Sequence, residues 1–361
     1  MKNIAGLLQE LKYTVIDGKP EGEISELVYD SRKVTKDCMF VCIKGAAYDS
    51  HDHTEEIARA GAKVIVAERP VKVPEGVTLV LVEDSRYALS MLSAAYFDHP
   101  AQKLKVIGIT GTKGKTTTTF MVKGILEHAG YKVGLIGTIE TIIGDTHIPS
   151  SNTTPESYLV QKYFAQMVEA GCQICVMEVS SQGLMMHRTA GIPFEIGIFT
   201  NLAPDHIGPN EHASFEEYAA CKGMLFRQCR HGIANVDDEH FDMVLAGHTC
   251  DLETIGFSDR ADYRASDMEL IGRPGYLGVK YHVSGKIDME IDVPGRFSVY
   301  NSLVAIAVCE HFKVSQEDLK AALKVVKTKG RIEMIKVSDD FIVMIDYAHN
   351  AMSLESLLTT L

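Results

Sequence analysis

The sequence lacks any run of lysine and arginine, lacks a long apolar stretch and is sparing with cysteine. Each absence removes a class of function. A net charge of −12, carried by scattered Asp and Glu, argues against nucleic-acid binding and against docking on an anionic membrane. The longest apolar run is roughly that of Leu303–Cys309, far short of the ~20 residues a membrane-inserted helix needs. The N-terminal MKNIAGLLQELKY interrupts its short apolar part with charges and makes a poor secretory signal. The eight cysteines sit mostly in apolar strings such as MFVCIKG and AIAVCEH. Cys172 and Cys175 form a CxxC, but it runs into a strand-like segment with no second Cys/His pair at metal spacing. Core thiols are therefore expected over a zinc or redox centre, in a reducing cytoplasm. Internal repeats and low-complexity segments are also missing.

What remains is a globular composition, 46% hydrophobic and 23% charged, in a chain of 361 residues, long enough for two or three domains. Residues 1–100 read as mixed α/β, with strand-like ELVYDSRKV, CMFVCIKG, AKVIVAE and VTLVLVED. His99-Pro100 marks a break. From Lys105 the pattern becomes strand, loop, helix, strand, with Phe120, Met121, Ile125, Leu126 and Ala129 as an apolar helix face ended by Gly130. A further helix is expected after SSNTTPES, with Thr154 as cap, Pro155 at its first position and Leu159, Tyr163, Met167 and Ala170 as its stripe. The strands ICVMEV and FEIGIFTNL follow, and then a helix opened by Ser214 with Glu217 in a capping box. Strand–helix alternation of this kind gives an α/β fold with a central parallel sheet over residues 101–330. Residues 278–293 alternate apolar and polar as an antiparallel hairpin. Residues 331–361 hold two strands and a helix, too little for a core, and read as the opening of a truncated third domain.

The segment GITGTKGKTTTT, starting at Gly108, is built to hold phosphate. It departs from G-x-x-x-x-G-K-[ST], because Ile109 stands five before Gly114. The requirements are nevertheless met: glycines at 111 and 114 let backbone N–H groups converge, and a helix N-terminus follows. Lys115 can reach the terminal phosphates and the Thr116 hydroxyl can ligate Mg²⁺. Glu178 ends an apolar strand run, where a carboxylate facing the sheet mouth belongs, although an exposed edge charge is the alternative. His206 in NLAPDHIG has a similar position, with a turn as the bland reading. Lys222 in YAACKGMLF lies on a helix among small and apolar residues, and an exposed lysine is its ordinary explanation.

These segments resemble the Mur ligases of peptidoglycan synthesis. TGTKGKTTT, SNTTPE, MEVSSQGL, NLAPDH, YAACKGMLF, KGRIEM and DYAHN stand in that family's order, and YDSRKV with CMFVCIKG resembles its uridine-nucleotide region. The resemblance spans essentially the whole chain. It implies three domains: a UDP-binding α/β domain (1–100), a central ATPase domain (101–330) and the start of a Rossmann-like domain (331–361). It implies ATP and Mg²⁺ as cofactors, with UDP-N-acetylmuramoyl-L-Ala-D-Glu and an amino acid as partners. The reaction is addition of the third amino acid to the D-Glu γ-carboxylate through an acyl phosphate. Gly111, Thr112, Lys113, Gly114, Lys115, Thr116, Thr117, Asn301, Arg331 and Asp346 are then the nucleotide contacts. Lys115, Glu178, His206 and Lys222 are the catalytic groups, with Thr116, Glu178, His206 and an N-carboxylated Lys222 at the metal. Asn152, Thr153, Thr154, Ser180 and Arg188 resemble the muramoyl contacts, and Tyr29 and Ser31 the uridine contacts. Departures from the family include Lys113 for Asn, Gln182 for His, Met186 for a polar residue and Ala351 for Pro. A sibling ligase with another acceptor, and a non-catalytic binder of ATP or UDP-muramoyl peptide, are the alternatives. A plain phosphate-loop kinase leaves the first hundred residues unexplained.

Overall fold

A computed structural model describes residues 1–209, 211–273, 276–326, 333–335, 337, 343–346, 354 and 358. The chain divides into two units. The first takes Met1–Lys103 with Pro155–Gln166 and Gln182–Ile192; the second takes Leu104–Thr154, Met167–Ser181 and Pro193–Leu361. Two stretches from the middle of the sequence thus cluster with the N-terminal region.

The first unit is built on a sheet of β1 (Tyr13–Asp17), β2 (Leu27–Val28), β3 (Cys38–Val41), β4 (Ala62–Ala67) and β5 (Thr78–Val82). Their spatial order is β1-β5-β4-β3-β2, parallel except for β1. CMFV and the VIVA of Val64–Ala67 are continuous apolar runs because both faces of a parallel sheet are covered. Met39, Val41, Val64, Val66 and Val80 face one core; Cys38, Phe40, Ile65, Ala67 and Leu79 face the other. Helix α1 (Ser85–Tyr96) is capped by Asp84, whose carboxylate accepts the Tyr87 N–H at 2.8 Å. It presses Ala88, Leu89 and Leu92 into the first of those cores.

The second unit starts with β6 (Lys105–Thr110), α2 (Lys115–His128), β7 (Val133–Ile136), β8 (Glu140–Ile143) and β9 (Thr146–Pro149). Helix α3 (Ser157–Glu169) leads to β10 (Ile174–Glu178), β11 (Phe194–Phe199), α4 (Phe215–Gly223), β12 (Cys229–Asn235) and β13 (Asp251–Gly256). Then come β14 (Tyr263–Arg273), β15 (Tyr276–Val283), β16 (Ile287–Ile291), α5 (Arg296–His311) and α6 (Gln316–Val325). Among the described residues one sheet runs β9-β8-β7-β10-β6-β11-β12-β13-β14-β15-β16. Its middle, from β7 to β14, is parallel, and both edges are antiparallel. Strand β6 lies between β10 and β11, with Glu178 level with Ile109 and Phe199 with Thr110. Three strand ends therefore converge on the loop after β6. The apolar run Leu303–Cys309 is buried inside α5, which packs on α2.

Several expectations shift. Helix α2 buries Met121, Val122, Ile125 and Leu126, while Phe120 and Ala129 are half-exposed; Gly130 follows at φ +89°. Helix α3 starts at Ser157, and its buried apolar residues are Val160, Phe164 and Met167. The stripe read through Leu159 and Tyr163 lies one residue before the buried Val160 and Phe164, because apolar residues stand side by side at both places; the expected cap Thr154 instead donates its hydroxyl to the Glu178 carbonyl at 3.0 Å. The expected hairpin exists as β15–β16, and β14, which the alternation had not marked, extends it. Cys172 and Cys175 are both buried free thiols. The strands read in the last thirty residues pair as β17 (Glu333–Ile335) and β18 (Val343–Ile345), antiparallel; the helix read after them falls largely outside the described residues. Among the described residues no helix is long and apolar enough to cross a membrane.

Candidate active site

The loop between β6 and α2 is shaped by two glycines that tolerate no side chain. Gly111 has φ +147°, and a Cβ there would stand 2.0 Å from Thr200 Oγ1. Gly114 has φ +86°, opens α2 as its N-cap, and would bring a Cβ to 2.8 Å from Asn301 Oδ1. Gly108 belongs to β6 instead, where it makes room for the Phe194 ring. The loop is fastened from β11: the Lys113 N–H donates to Asn201 Oδ1 at 2.9 Å, and the Lys113 carbonyl accepts from Thr200 Oγ1 at 2.7 Å. The backbone N–H groups of a helix start that opens on glycine make a cradle suited to an anion.

Around this cradle the strand ends supply the chemistry. Lys115 Nζ folds back onto the carbonyls of Gly111 (2.8 Å) and Thr112 (3.1 Å). The Thr116 hydroxyl donates to Glu178 Oε2 at 3.0 Å. Glu178 is fully buried, and it also accepts from the Thr138 N–H and hydroxyl, both at 2.9 Å. A buried carboxylate held only by hydroxyl and amide donors, with no cation against it in these contacts, suits a hard metal ion. Lys222, expected to be exposed, is 1% exposed. Its Nζ donates to the Gly111 carbonyl at 3.0 Å and lies 4.3 Å from the Tyr218 ring. Burial, reinforced by the positive Lys115, holds this amine well below the ordinary lysine pKa. It is thereby biased to the neutral, nucleophilic form.

The remaining candidates divide. Asn301 is buried, accepts the Thr118 hydroxyl at 3.1 Å, and sits against Gly114. Thr153 Oγ1 lies 3.0 Å from Thr138 Oγ1, and Thr154 Oγ1 accepts the Ser180 N–H at 2.9 Å, which links both threonines and Ser180 to the Glu178 strand end. Asn152 is exposed and Thr117 half-buried on α2. His206 has φ +54° and an exposed ring paired with Glu211 Oε1 at 3.0 Å. Lys113 Nζ is 3.8 Å from Asp205. Asp346 is half-buried directly after β18, whereas Arg331 lies outside the described residues. Tyr29, Ser31 and Arg188 belong to the first unit. There Arg188 Nε is 3.6 Å from Glu156 and its Nη2 is 3.8 Å from Met186 Sδ. Burial, then the Glu156 charge, raises the Tyr29 hydroxyl pKa. Sequence reading missed Thr138, Thr200 and Asn201; each follows an apolar strand run, so a polar residue at a strand's carboxyl end was the available signal.

A parallel sheet with a glycine-bound phosphate loop at its mouth and a buried lysine beside it defines a nucleotide-using α/β enzyme architecture. The Mur ligase middle domain matches residues 109–309, and the Mur ligase family catalytic domain matches residues 23–97. The chain belongs to the Mur ligase family. It is 42% identical over 366 residues to UDP-N-acetylmuramoyl-L-alanyl-D-glutamate--2,6-diaminopimelate ligase 1 of Clostridium acetobutylicum, covering 99% of this chain and 74% of that protein. The corresponding ligase of Clostridium perfringens is 38% identical over 364 residues, with the same coverage. A solved structure of a UDP-N-acetylmuramoyl-L-alanyl-D-glutamate--2,6-diaminopimelate ligase superimposes with a TM-score of 0.83 at 23% identity, over 99% of this chain and 73% of that one.

Proposed function

We propose that the chain is an ATP-dependent amide ligase that joins 2,6-diaminopimelate to the D-Glu γ-carboxylate of UDP-N-acetylmuramoyl-L-Ala-D-Glu. The observation that carries the reading is the union of the glycine cradle with a buried amine: Lys222 Nζ donates to the same Gly111 carbonyl that Lys115 holds. A kinase needs the cradle but has no use for a buried neutral lysine. The choice of diaminopimelate rests on the relatives' names.

In this reading the γ-carboxylate oxygen attacks the terminal phosphorus of ATP, and the bond to the ADP oxygen breaks. The amine of the incoming amino acid then attacks the acyl-phosphate carbonyl. The tetrahedral adduct loses phosphate and a proton to leave the amide. Lys115 exchanges its carbonyl partners for phosphate oxygens and neutralises charge as it builds on the transferring group. The backbone N–H groups of 114–116 orient the phosphates, while those of Thr112 and Lys113 tie the loop to Asn201, and Asn301 takes an outer nucleotide contact. Thr116, Glu178, His206 and an N-carboxylated Lys222 would hold Mg²⁺, which supplies charge neutralisation to the phosphates. The donors fit: Glu178 is a fully buried carboxylate that already holds the Thr116 hydroxyl at 3.0 Å, an oxygen-only pair of the kind a hard cation takes. Carbamate formation joins the neutral Lys222 nitrogen to the carbon of CO₂ with release of one proton. The division of labour is residues 1–100 for the uridine nucleotide and 101–330 for ATP. The compartment implied is the cytoplasm, where such nucleotide precursors are made.

The test is phosphate release by this chain with ATP, Mg²⁺ and the UDP-muramoyl dipeptide, with and without diaminopimelate or lysine. Release dependent on diaminopimelate is expected. Release with lysine alone corrects the acceptor, and no release despite binding of both nucleotides makes the chain a binder.

A further inference from the structure

Two fully buried side chains that this reaction leaves unused meet beside Lys222. His212 and Tyr218 are each 0% exposed, and their ring centroids are 5.2 Å apart. Each directs its polar end to a different part of the site. His212 Nε2 is 2.8 Å from Ser181 Oγ, three residues beyond Glu178. The Tyr218 hydroxyl is 3.0 Å from Thr112 Oγ1 in the phosphate loop, and that oxygen also accepts the Ala203 N–H at 3.0 Å. One helical turn beyond Tyr218 on α4 stands Lys222, its Nζ 4.3 Å from the ring. The loop bearing His206 is tied in as well: the His212 N–H donates to the His206 carbonyl at 3.1 Å, and the His212 carbonyl accepts the Gly208 N–H at 3.2 Å.

Packing alone would be served better by two apolar rings, since every polar atom buried here must be satisfied or costs stability. One is left unsatisfied: among the described residues His212 Nδ1 has no hydrogen-bond partner, and the Glu217 carboxylate stays 3.8 Å away, its Oε2 accepting the Ala213 N–H at 2.6 Å. A proton on Nε2 donates to Ser181 and leaves only a lone pair at Nδ1, the arrangement with no bare N–H. A side chain kept at that cost, with its satisfied end on the segment that carries Glu178, is placed for alignment.

We propose that His212 and Tyr218 are a positioning pair, locking Lys222 in register with the phosphate loop and with the strand end that carries Glu178. This rests on the role given to Lys222 above. The test uses the full chain with Tyr218→Phe, His212→Gln, His212→Ala, Ser181→Ala and the Ser181→Ala/His212→Ala double variant. Tyr218→Phe keeps the ring and the fold, so a fall in kcat of about tenfold with KM for the UDP-muramoyl dipeptide within about twofold is expected. His212→Ala falls by a similar factor. His212→Gln, whose amide nitrogen reaches the place of Nε2, recovers most of the rate. The double variant loses no more than His212→Ala alone, because both changes break one link. Wild-type kcat in Tyr218→Phe, equal rates for Gln and Ala at 212, or additive losses in the double variant overturns the pair. If the wild-type chain releases no acceptor-dependent phosphate, it is the ligase reading that has failed. The pair is then judged by the ¹³C NMR carbamate signal of Lys222 in the full chain under ¹³CO₂: a weakened signal in Tyr218→Phe and His212→Ala supports it, and an unchanged signal in both overturns it.

Discussion

At the scale of single residues, Lys222 shows what a sequence carries and what it withholds. Its small and apolar neighbours were legible in YAACKGMLF, but on a helix they fit an exposed lysine equally well. The structure decides, because α4 turns this position onto the Gly111 carbonyl and the Tyr218 ring. Left as an ammonium, a lysine so buried and so close to Lys115 is costly, by several kcal/mol on the scale of buried unpaired ions. As a neutral amine it is tolerated, and as a carbamate it becomes an anion facing the nucleotide's metal. Lys222→Ala is therefore expected to leave Mg·ADP affinity within a few-fold, because the loop N–H groups and Lys115 remain. Turnover should fall by about a hundredfold or more, in the range seen when one electrostatic stabiliser is removed. Calorimetric ADP titration beside a phosphate-release assay checks this, and unchanged turnover would sink the carbamate role. The glycines were the opposite case. Gly111 and Gly114 could be named from spacing because only glycine adopts their positive φ beside a phosphate.

At the scale of elements, strands were easier to read than the faces of helices. β3, β4, β6 and β10 each carry an apolar run of four residues or so, CMFV, VIVA, VIGI and ICVM, and a run needs no phase. A helical stripe does, and where apolar residues stand side by side, as Leu159-Val160 and Tyr163-Phe164 do in α3, the less buried one of each pair was read as the buried one. Long-range ties were not readable at all, and Asp237 is an example. It follows β12 and gathers the end of β13 and helix α5: the Phe257 N–H at 2.6 Å, the Ser258 N–H at 3.1 Å and the Tyr300 hydroxyl at 2.8 Å. Burial pushes its carboxyl pKa up, but these donors outweigh burial and hold it below the ordinary 3.8. A depressed carboxyl contributes stability that is present above the unfolded-state pKa and lost as pH falls through the lower folded value. Asp237→Asn should therefore cost about 1–2 kcal/mol near pH 7, where charge-assisted bonds become neutral ones. The gap from wild type should narrow at a pH below the ordinary 3.8, as the wild-type carboxyl gains its proton. Urea unfolding at both pH values measures it. A gap that stays constant with pH would mean the charge contributes nothing. Since Asn301 rides on the same helix as Tyr300, weaker ADP binding should accompany the loss.

At the scale of the whole molecule, the sequence order conceals how the chain is shared out. Pro155–Gln166 and Gln182–Ile192 interrupt the second unit in sequence yet belong to the first in contacts. No local signal marks them, because their apolar residues have the same character as those of the sheet they leave. The consequence is that Arg188, read with the middle of the chain, shares a unit with Tyr29 and Ser31, while the phosphate loop, Glu178 and Lys222 share the other. If the uridine nucleotide is held by the first group and ATP by the second, the two affinities should separate under mutation. Ser31 offers the cleanest cut. It is half-buried at the start of a short 3₁₀ turn that Asp30 caps by accepting the Arg32 N–H at 3.1 Å. Removing its hydroxyl therefore leaves the turn's own cap intact. Ser31→Ala should weaken the UDP-muramoyl dipeptide by about three- to tenfold, the worth of one hydrogen bond to a ligand. ADP affinity should be unchanged, because the loop glycines, Lys115 and Asn301 lie in the other unit. Paired calorimetric titrations with the two ligands decide the matter. Equal losses for both would mean that the units do not divide the substrates, and selective loss of ADP would place the uridine nucleotide elsewhere.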